Sequence, residues 1–374
     1  MNEAALALLL PVAPRPAADE RLSSWLSRIA GIYGLSADAL LAEFGLSGTT
    51  ALTLEKGLSA EQAALIAART GLSASAIEAM TLANLAPHAN VMVAANARYF
   101  CPSCAQNPGI GRKDAALPWS FWCSVHGDRL WAREQRPMES FLPASVLEQL
   151  DPIARRGAAR LADWAEDLDG VGEAGAPTVP DLLEFLTTSH RRASPPSLAE
   201  QPRLSLEARR ANHGFLSQPI TRQALLVVTP EYNRFAPVLT KPVRPGLEAL
   251  ARGSLLQNYA LSVGLARLTE NPVEHAAMAL LAADAEGKSR LRRVLSSWPS
   301  GMRRRISAHL RRLMDQISAA SLASERRRSG RPPRSSTNYA RVSQFMNQFV
   351  PQIMNQNPEI MRAAAALRVA SHKL

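Results

Sequence analysis

The sequence predicts a mainly α protein: an N-terminal helical bundle with helix-turn-helix-like repeats, a small structural zinc-binding module, and a C-terminal helical domain. Three observations carry this. Aromatic residues are only 5% of the 374-residue chain while alanine and leucine abound, a balance that favours helices over sheets. A motif with helix-pair logic occurs twice in the first 80 residues. Cys101, Cys104, Cys123 and His126 then form a C-x2-C and a C-x2-H pair.

The repeat reads Ala30-Gly-Ile-Tyr-Gly34-Leu-Ser36-Ala-Asp-Ala-Leu40 and again Ala67-Ala-Arg-Thr-Gly71-Leu-Ser73-Ala-Ser-Ala-Ile77. In each copy a small residue permits close helix approach, glycine takes the turn, serine caps the second helix, and an aliphatic residue locks the pair. Ser24, Trp25, Leu26, Ile29 and Ile32 give the first helix its near-helical spacing, and Glu61 to Arg69 forms its counterpart in the second copy. The second helices, Ala37 to Phe44 and Ala74 to Met80, lack Arg, Lys, Asn and Gln, the side chains suited to base edges, and both carry acids. A packed αα unit or protein-binding surface is therefore favoured over sequence-specific DNA reading.

The cysteine pairs have the pattern of a tetrahedral site. A two-residue gap lets one tight turn aim both its ligands at one ion, and a loop of about twenty residues between two such turns is ordinary for structural zinc. All three cysteines of the chain are used, with His126 as the fourth ligand. A site closed by four ligands holds structure and leaves no position for substrate. The alternatives are unligated buried thiols or a disulfide. The spacing, the turn residues Pro102 and Ser103, and the flanking Tyr99, Phe100, Trp119, Phe121 and Trp122 favour one structural Zn2+.

Beyond the module, which spans about 98–131, Pro143 to Leu168 predicts a helix burying Leu147, Leu150, Ile153, Leu161 and Trp164. Residues 169–180 read as a Gly/Pro loop, Asp181 to Ser189 as a short helix, and His190 to Pro202 as the best domain boundary. Ala224 to Thr229 is compatible with one short strand. Helices are expected over Leu247 to Leu268, Pro272 to Ala285, Arg290 to Ser297 and Met302 to Leu322. The last places Met302, Ile306, Leu310, Leu313, Met314 and Ile317 on one face. Ser324 to Asn338 is expected to be a mobile basic tether. Pro358, with Asn357 as cap, opens a final helix towards Ala370. The expected division is 1–97, 98–135, 136–203, 204–323, 324–338 and 339–374.

The net charge of +11 is unevenly spread. Residues 1–97 hold five Lys/Arg against eight Asp/Glu, whereas residues 288–341 hold fifteen against two. The basic segment reads either as a solvated helical face or as a phosphate-binding surface; the candidates for DNA-backbone contact are Arg292, Arg293, Arg303, Arg304, Arg305, Arg311, Arg312, Arg326, Arg327 and Arg328. The apolar start, Ala4 to Leu10, is short, lacks a basic lead and meets Pro11, Pro14 and Pro16, so no secretory signal is expected. No apolar run reaches membrane-spanning length, and a cytoplasmic protein is expected. No Gly-rich phosphate loop, H-E-x-x-H motif or nucleophile–base pair suggests catalysis.

Three stretches together resemble the TniQ family of transposon accessory proteins, which includes TnsD-like target selectors. They are Leu22-Ser-Ser-Trp25-Leu-Ser-Arg28-Ile-Ala30 with Gly34-Leu-Ser36; Thr70-Gly-Leu-Ser73 with Met80-Thr-Leu82; and Arg98-Tyr-Phe-Cys101-Pro-Ser-Cys104 with Trp119 and Cys123-Ser-Val-His126-Gly-Asp-Arg-Leu130. The resemblance covers about residues 11–131, with a fainter echo at Val294-Leu-Ser-Ser-Trp298-Pro299. It implies a helical, non-enzymatic, zinc-binding protein that helps choose a transposition target. Such a protein links a target-recognition complex to the transposon's ATPase regulator, sometimes as a homodimer, with strand transfer left to another protein. It also implies zinc ligands at Cys101, Cys104, Cys123 and His126. Relatives often carry a second cysteine pair after the histidine; Trp131 to Pro137 has none, so a second zinc is not expected. The competing reading is a zinc-containing helix-turn-helix transcriptional regulator.

Overall fold

The structure, a computed structural model, describes residues 9–93, 99–104, 110–132, 143–168, 176–188, 223–229, 231, 245–283 and 285–329. It is mainly helical, and the chain divides into two compact units: Met1–Ser140 with Leu161–Gly170, and Phe141–Arg160 with Val171–Leu374.

In the first unit both copies of the repeat fold as two helices joined by a turn. Helix α1 (Leu22–Ile32) leads to α2 (Ala37–Glu43), and, after α3 (Ala51–Lys56), α4 (Ala60–Thr70) leads to α5 (Ala74–Glu78). Gly34 and Gly71 both take the left-handed conformation that the turns require, with φ of 67° and 72°. Ser36 and Ser73 accept hydrogen bonds from the amides of Ala39 and Ala76, capping α2 and α5. Leu40 and Ile77 are buried beside Trp25, Leu26, Ile29, Leu54 and Ile66 in one core. Ile32, expected on the buried stripe, is half exposed at the end of α1.

This core also encloses charge that the apolar pattern does not reveal. Arg21 pairs with Glu55 at 2.5 Å, both side chains almost fully buried. Arg28 forks onto buried Glu20, each contact 2.8 Å. The segment before α1 lies along this framework. Leu10 N–H donates to the Arg69 carbonyl at 2.8 Å. The Tyr33 hydroxyl bonds both backbone groups of Val12 at 2.8 Å, and Trp25 Nε1 donates to the Pro14 carbonyl at 2.7 Å. The same unit contains the cysteine segment, whose only paired strands among the described residues are β1 (Tyr99–Phe100) and β2 (Trp131–Ala132), antiparallel with Tyr99 opposite Ala132.

Helix α6 (Ala144–Ala165) buries Leu147, Leu150, Ala154, Gly157, Leu161 and Ala165. The stripe runs through Ala154, and Ile153 and Trp164 are only partly covered. The reason is Gly157: a Cβ there would fall 1.9 Å from the Ser262 carbonyl oxygen, so the backbones are too close for larger residues. Helix α7 (Val179–Thr187) starts two residues before the expected Asp181. Thr178 and Asp181 form a capping box, and Pro180 fits the first turn.

Residues Gln223–Val228 form helix α8, which corrects the strand reading of Ala224 to Thr229. Ala224, Leu225, Val227 and Val228 are fully or almost fully buried. A lone strand there would leave backbone groups unpaired, whereas a helix satisfies its own. The stretch read as one helix from Leu247 is two, α9 (Leu247–Arg252) and α10 (Leu255–Glu270). Ser254 caps α10, accepting from Gln257 N–H. Gln257 Nε2 and Asn258 Nδ2 reach back to the Ala249 and Leu250 carbonyls at the end of α9, at 2.9 and 3.1 Å.

Helix α10 is buried on all sides through Leu268, and two of its polar residues anchor it to its surroundings. Tyr259 donates to Asp151 at 2.7 Å, and Arg267 bonds the Val228 carbonyl at 2.8 Å and pairs with Glu231. Helix α11 (Pro272–Ala282) packs on it, α12 (Ala285–Leu295) packs on α7 and α11, and α13 (Ser300–Ser329) packs on α11. Helix α12 begins five residues before the expected Arg290, and α13 carries Ser324–Ser329 as helix where a tether was expected. The remainder of the tether, the boundary at 190–202 and the helix towards Ala370 lie outside the described residues.

Candidate functional site

Two turns and a third strand of chain build the site. Tyr99 and Phe100 pair with β2, so Cys101 leaves the strand straight into the Pro102-Ser103 turn, and the Cys104 amide bonds back to Cys101 Sγ at 3.5 Å. The second turn is closed by Gly127, left-handed at φ 71°. Gly127 N–H donates to the Cys123 carbonyl at 2.9 Å, and Cys123 N–H to the Asp128 carbonyl at 2.8 Å. Tyr99, Trp119, Phe121 and Leu130 of the same segment are buried.

The two turns bring the four predicted ligands together. All four candidate atoms lie within 4.8 Å of one another. His126 Nδ1 is 3.6 Å from Cys101 Sγ, 3.2 Å from Cys104 Sγ and 3.6 Å from Cys123 Sγ, and Cys104 Sγ is 3.6 Å from Cys123 Sγ. Ordinary zinc–sulfur and zinc–nitrogen bonds in a tetrahedron set edges of about 3.6–3.8 Å. The donor set and its spacing fit one tetrahedral ion. Burial pushes the Cys101 thiol up to about 12 and raises Cys104 as well, the latter opposed by the Arg112 guanidinium. Such thiols ionise readily only beside a strong cation, which a coordinated metal supplies.

Residues outside the motif complete the site. Asp128 accepts a hydrogen bond from Ser103 Oγ and lies 3.6 Å from Cys101 Sγ, joining the two turns. Asp114 Oδ2 accepts from the Ser124 amide at 2.8 Å and hydroxyl at 3.1 Å, fixing the entry to the second turn. Arg112 Nε donates to Cys104 Sγ at 3.0 Å. Spacing arguments single out ligands and pass over these partners, although the Gly127-Asp128 step after the histidine is itself a turn signal.

The predicted DNA-contact residues occupy the second unit. Arg292 and Arg293 are exposed on α12, and Arg303, Arg304, Arg305, Arg311 and Arg312 are exposed on α13. Among the described residues none of the seven has a carboxylate within ion-pair distance. Arg326, Arg327 and Arg328 lie on the α13 backbone, their side chains outside the described set. Met302 and Ile306 are buried, while Leu310, Leu313 and Ile317 are partly covered and Met314 is 52% exposed. Among the described residues no helix is long and apolar enough to cross a membrane.

No curated protein and no solved structure matches the chain. The TniQ family model matches residues 11–130, from the strap before α1 to the end of the second metal-ligand turn. Over this segment the chain is similar to the TniQ family, whose members are transposition-associated proteins.

Proposed function

We propose that this protein is a non-enzymatic adaptor for transposition target-site selection, holding one structural Zn2+ at Cys101, Cys104, Cys123 and His126. The observation that carries this reading is the coincidence of the TniQ match with the unit that closes on the Cys3His cluster. In that unit the closed ligand set leaves the ion no open position, so zinc fixes two turns and performs no chemistry. The helix pairs and the metal knuckle present a docking surface to partner proteins: the transposon's ATPase regulator and a target-recognition complex. Helices α2 and α5 carry Asp38, Glu43 and Glu78, which disfavours DNA there and suits a basic protein partner.

The second unit supplies DNA-backbone affinity. Arg292, Arg293, Arg303, Arg304, Arg305, Arg311 and Arg312 offer exposed guanidiniums that phosphates attract irrespective of sequence, with Arg326 to Arg328 extending the same helix. Base choice then belongs to the partner. Co-expression with the neighbouring transposon genes followed by affinity purification tests the assignment. The ATPase regulator is expected to co-purify in stoichiometric amount. Its absence, together with a short reproducible motif from binding-site selection on the isolated protein, would establish a transcriptional regulator instead.

A further inference from the structure

We infer that Arg112 belongs to the metal centre, and that it couples the ion to the segment entering α1. This rests on the reading that the Cys3His cluster holds zinc. The Arg112 guanidinium touches a ligand atom directly: Nε donates to Cys104 Sγ at 3.0 Å. Its other arm donates to the Ala18 carbonyl. Its backbone forms an antiparallel bridge with Glu20, in which Arg21 N–H donates to the Gly111 carbonyl at 2.9 Å and Lys113 N–H to the Asp19 carbonyl at 3.0 Å. Gly111 N–H also donates to Ser24 Oγ at 2.7 Å, inside α1. Arg112 thus grips a ligand sulfur and the segment before α1, and its neighbours Gly111 and Lys113 bond that segment and the first turn of α1.

The charges give this contact a purpose. Three thiolates and a neutral imidazole leave zinc with a single net negative charge. Arg112 offsets it at the sulfur, and an N–H donated to a thiolate holds that sulfur in place while tempering its charge. The fork cannot be replaced by a point cation, because an ammonium cannot serve both the sulfur and the Ala18 carbonyl from a fixed stem. With the ion bound, Cys104 is fixed, Arg112 is fixed through it, and Ala17 to Leu22 are held at the mouth of α1. When the ion leaves, the sulfur end of this link is released.

The test uses the full-length chain. Zinc affinity is measured by chelator competition, and amide exchange over residues 17–22 is followed in zinc-loaded and stripped protein. Arg112→Met is expected to weaken zinc 10- to 100-fold, the range seen when outer-shell partners are removed. It should also remove the zinc-dependent protection at 17–22. Arg112→Lys restores charge, so zinc affinity should largely recover while that protection stays lost; it decides the matter should the methionine variant fail to fold. Lys113→Met is the control, since Lys113 Nζ bonds the Ala79 carbonyl at 2.8 Å and touches no ligand, and native zinc affinity is expected. Native zinc affinity and native protection in both Arg112 variants overturn the inference while leaving the zinc assignment standing. Native protein that takes up no zinc overturns both.

Discussion

Replacing Arg304, Arg305, Arg311 and Arg312 together by glutamine tests the DNA-backbone proposal most directly. On α13, Arg304 and Arg311 are two turns apart, as are Arg305 and Arg312, so they form two ridges away from buried Met302 and Ile306. Seven residues rise about 10 Å, so the four guanidiniums frame a patch long enough to meet several phosphates. Each phosphate neutralised adds about 0.9 to the slope of log affinity against log salt. Loss of four contacts therefore flattens the slope by about 3.6. Between 50 and 200 mM salt, the native affinity should fall about 150-fold more than that of the variant. Glutamine is nearly as good a helix former as arginine, and all four side chains are exposed, so circular dichroism should be unchanged. The assay is fluorescence anisotropy on two duplexes of unrelated sequence across a salt series. An unchanged slope would return these arginines to the role of a solvated face. A loss confined to one duplex would point to base reading by α13.

Other substitutions probe the framework. Chelating the metal should unfold residues 99–132 while leaving the helices of the second unit intact; unchanged amide exchange across that segment would remove the metal from the fold. Gly157→Ala should cost about 3 kcal/mol in urea denaturation, at the upper end for overpacking, because the new Cβ meets the Ser262 backbone and not a movable side chain. Arg21→Met should lower stability by about 3–5 kcal/mol, since it removes the only buried cation paired with Glu55 among the described residues; a change below about 1 kcal/mol would mean that the Ser23 amide and hydroxyl suffice to hold that carboxylate.

What could be read from the sequence divides along a physical line. Features fixed by a few neighbouring residues were legible. The glycine turns at 34 and 71, the caps at Ser36 and Ser73 and the four converging ligand atoms follow from local sterics and spacing. Features fixed by contacts distant in sequence were not. Ala224 to Val228 is β-branched enough to suggest a strand, and only its burial among helices decides for a helix. The break at Gly253-Ser254 was not legible in the sequence, which reads as one helix from Leu247 to Leu268. What makes it stable, the Gln257 and Asn258 amides reaching the carbonyls at the end of α9, depends on packing. Arg112 reads as one more surface cation until the fold sets Cys104 beside it.

The buried ion pairs explain why the metal segment and the helix pairs hold together as one unit. Arg21–Glu55 and Arg28–Glu20 sit at the start of α1, where Glu20 also accepts from the Ala17 amide at 2.9 Å and from Ser24 Oγ at 3.1 Å. Each pair is costly to desolvate, so neither is needed for stability alone. Their geometry instead admits one arrangement of strap, α1 and α3, because any slip would leave a carboxylate unpaired in the core. The cysteine segment binds to that fixed point through Gly111, Arg112 and Lys113. A knuckle this small cannot orient itself against a helical bundle by apolar area alone. Charge buried at the mouth of α1 specifies that orientation, and on the proposed function it is the surface shared by the two parts that a partner protein would read.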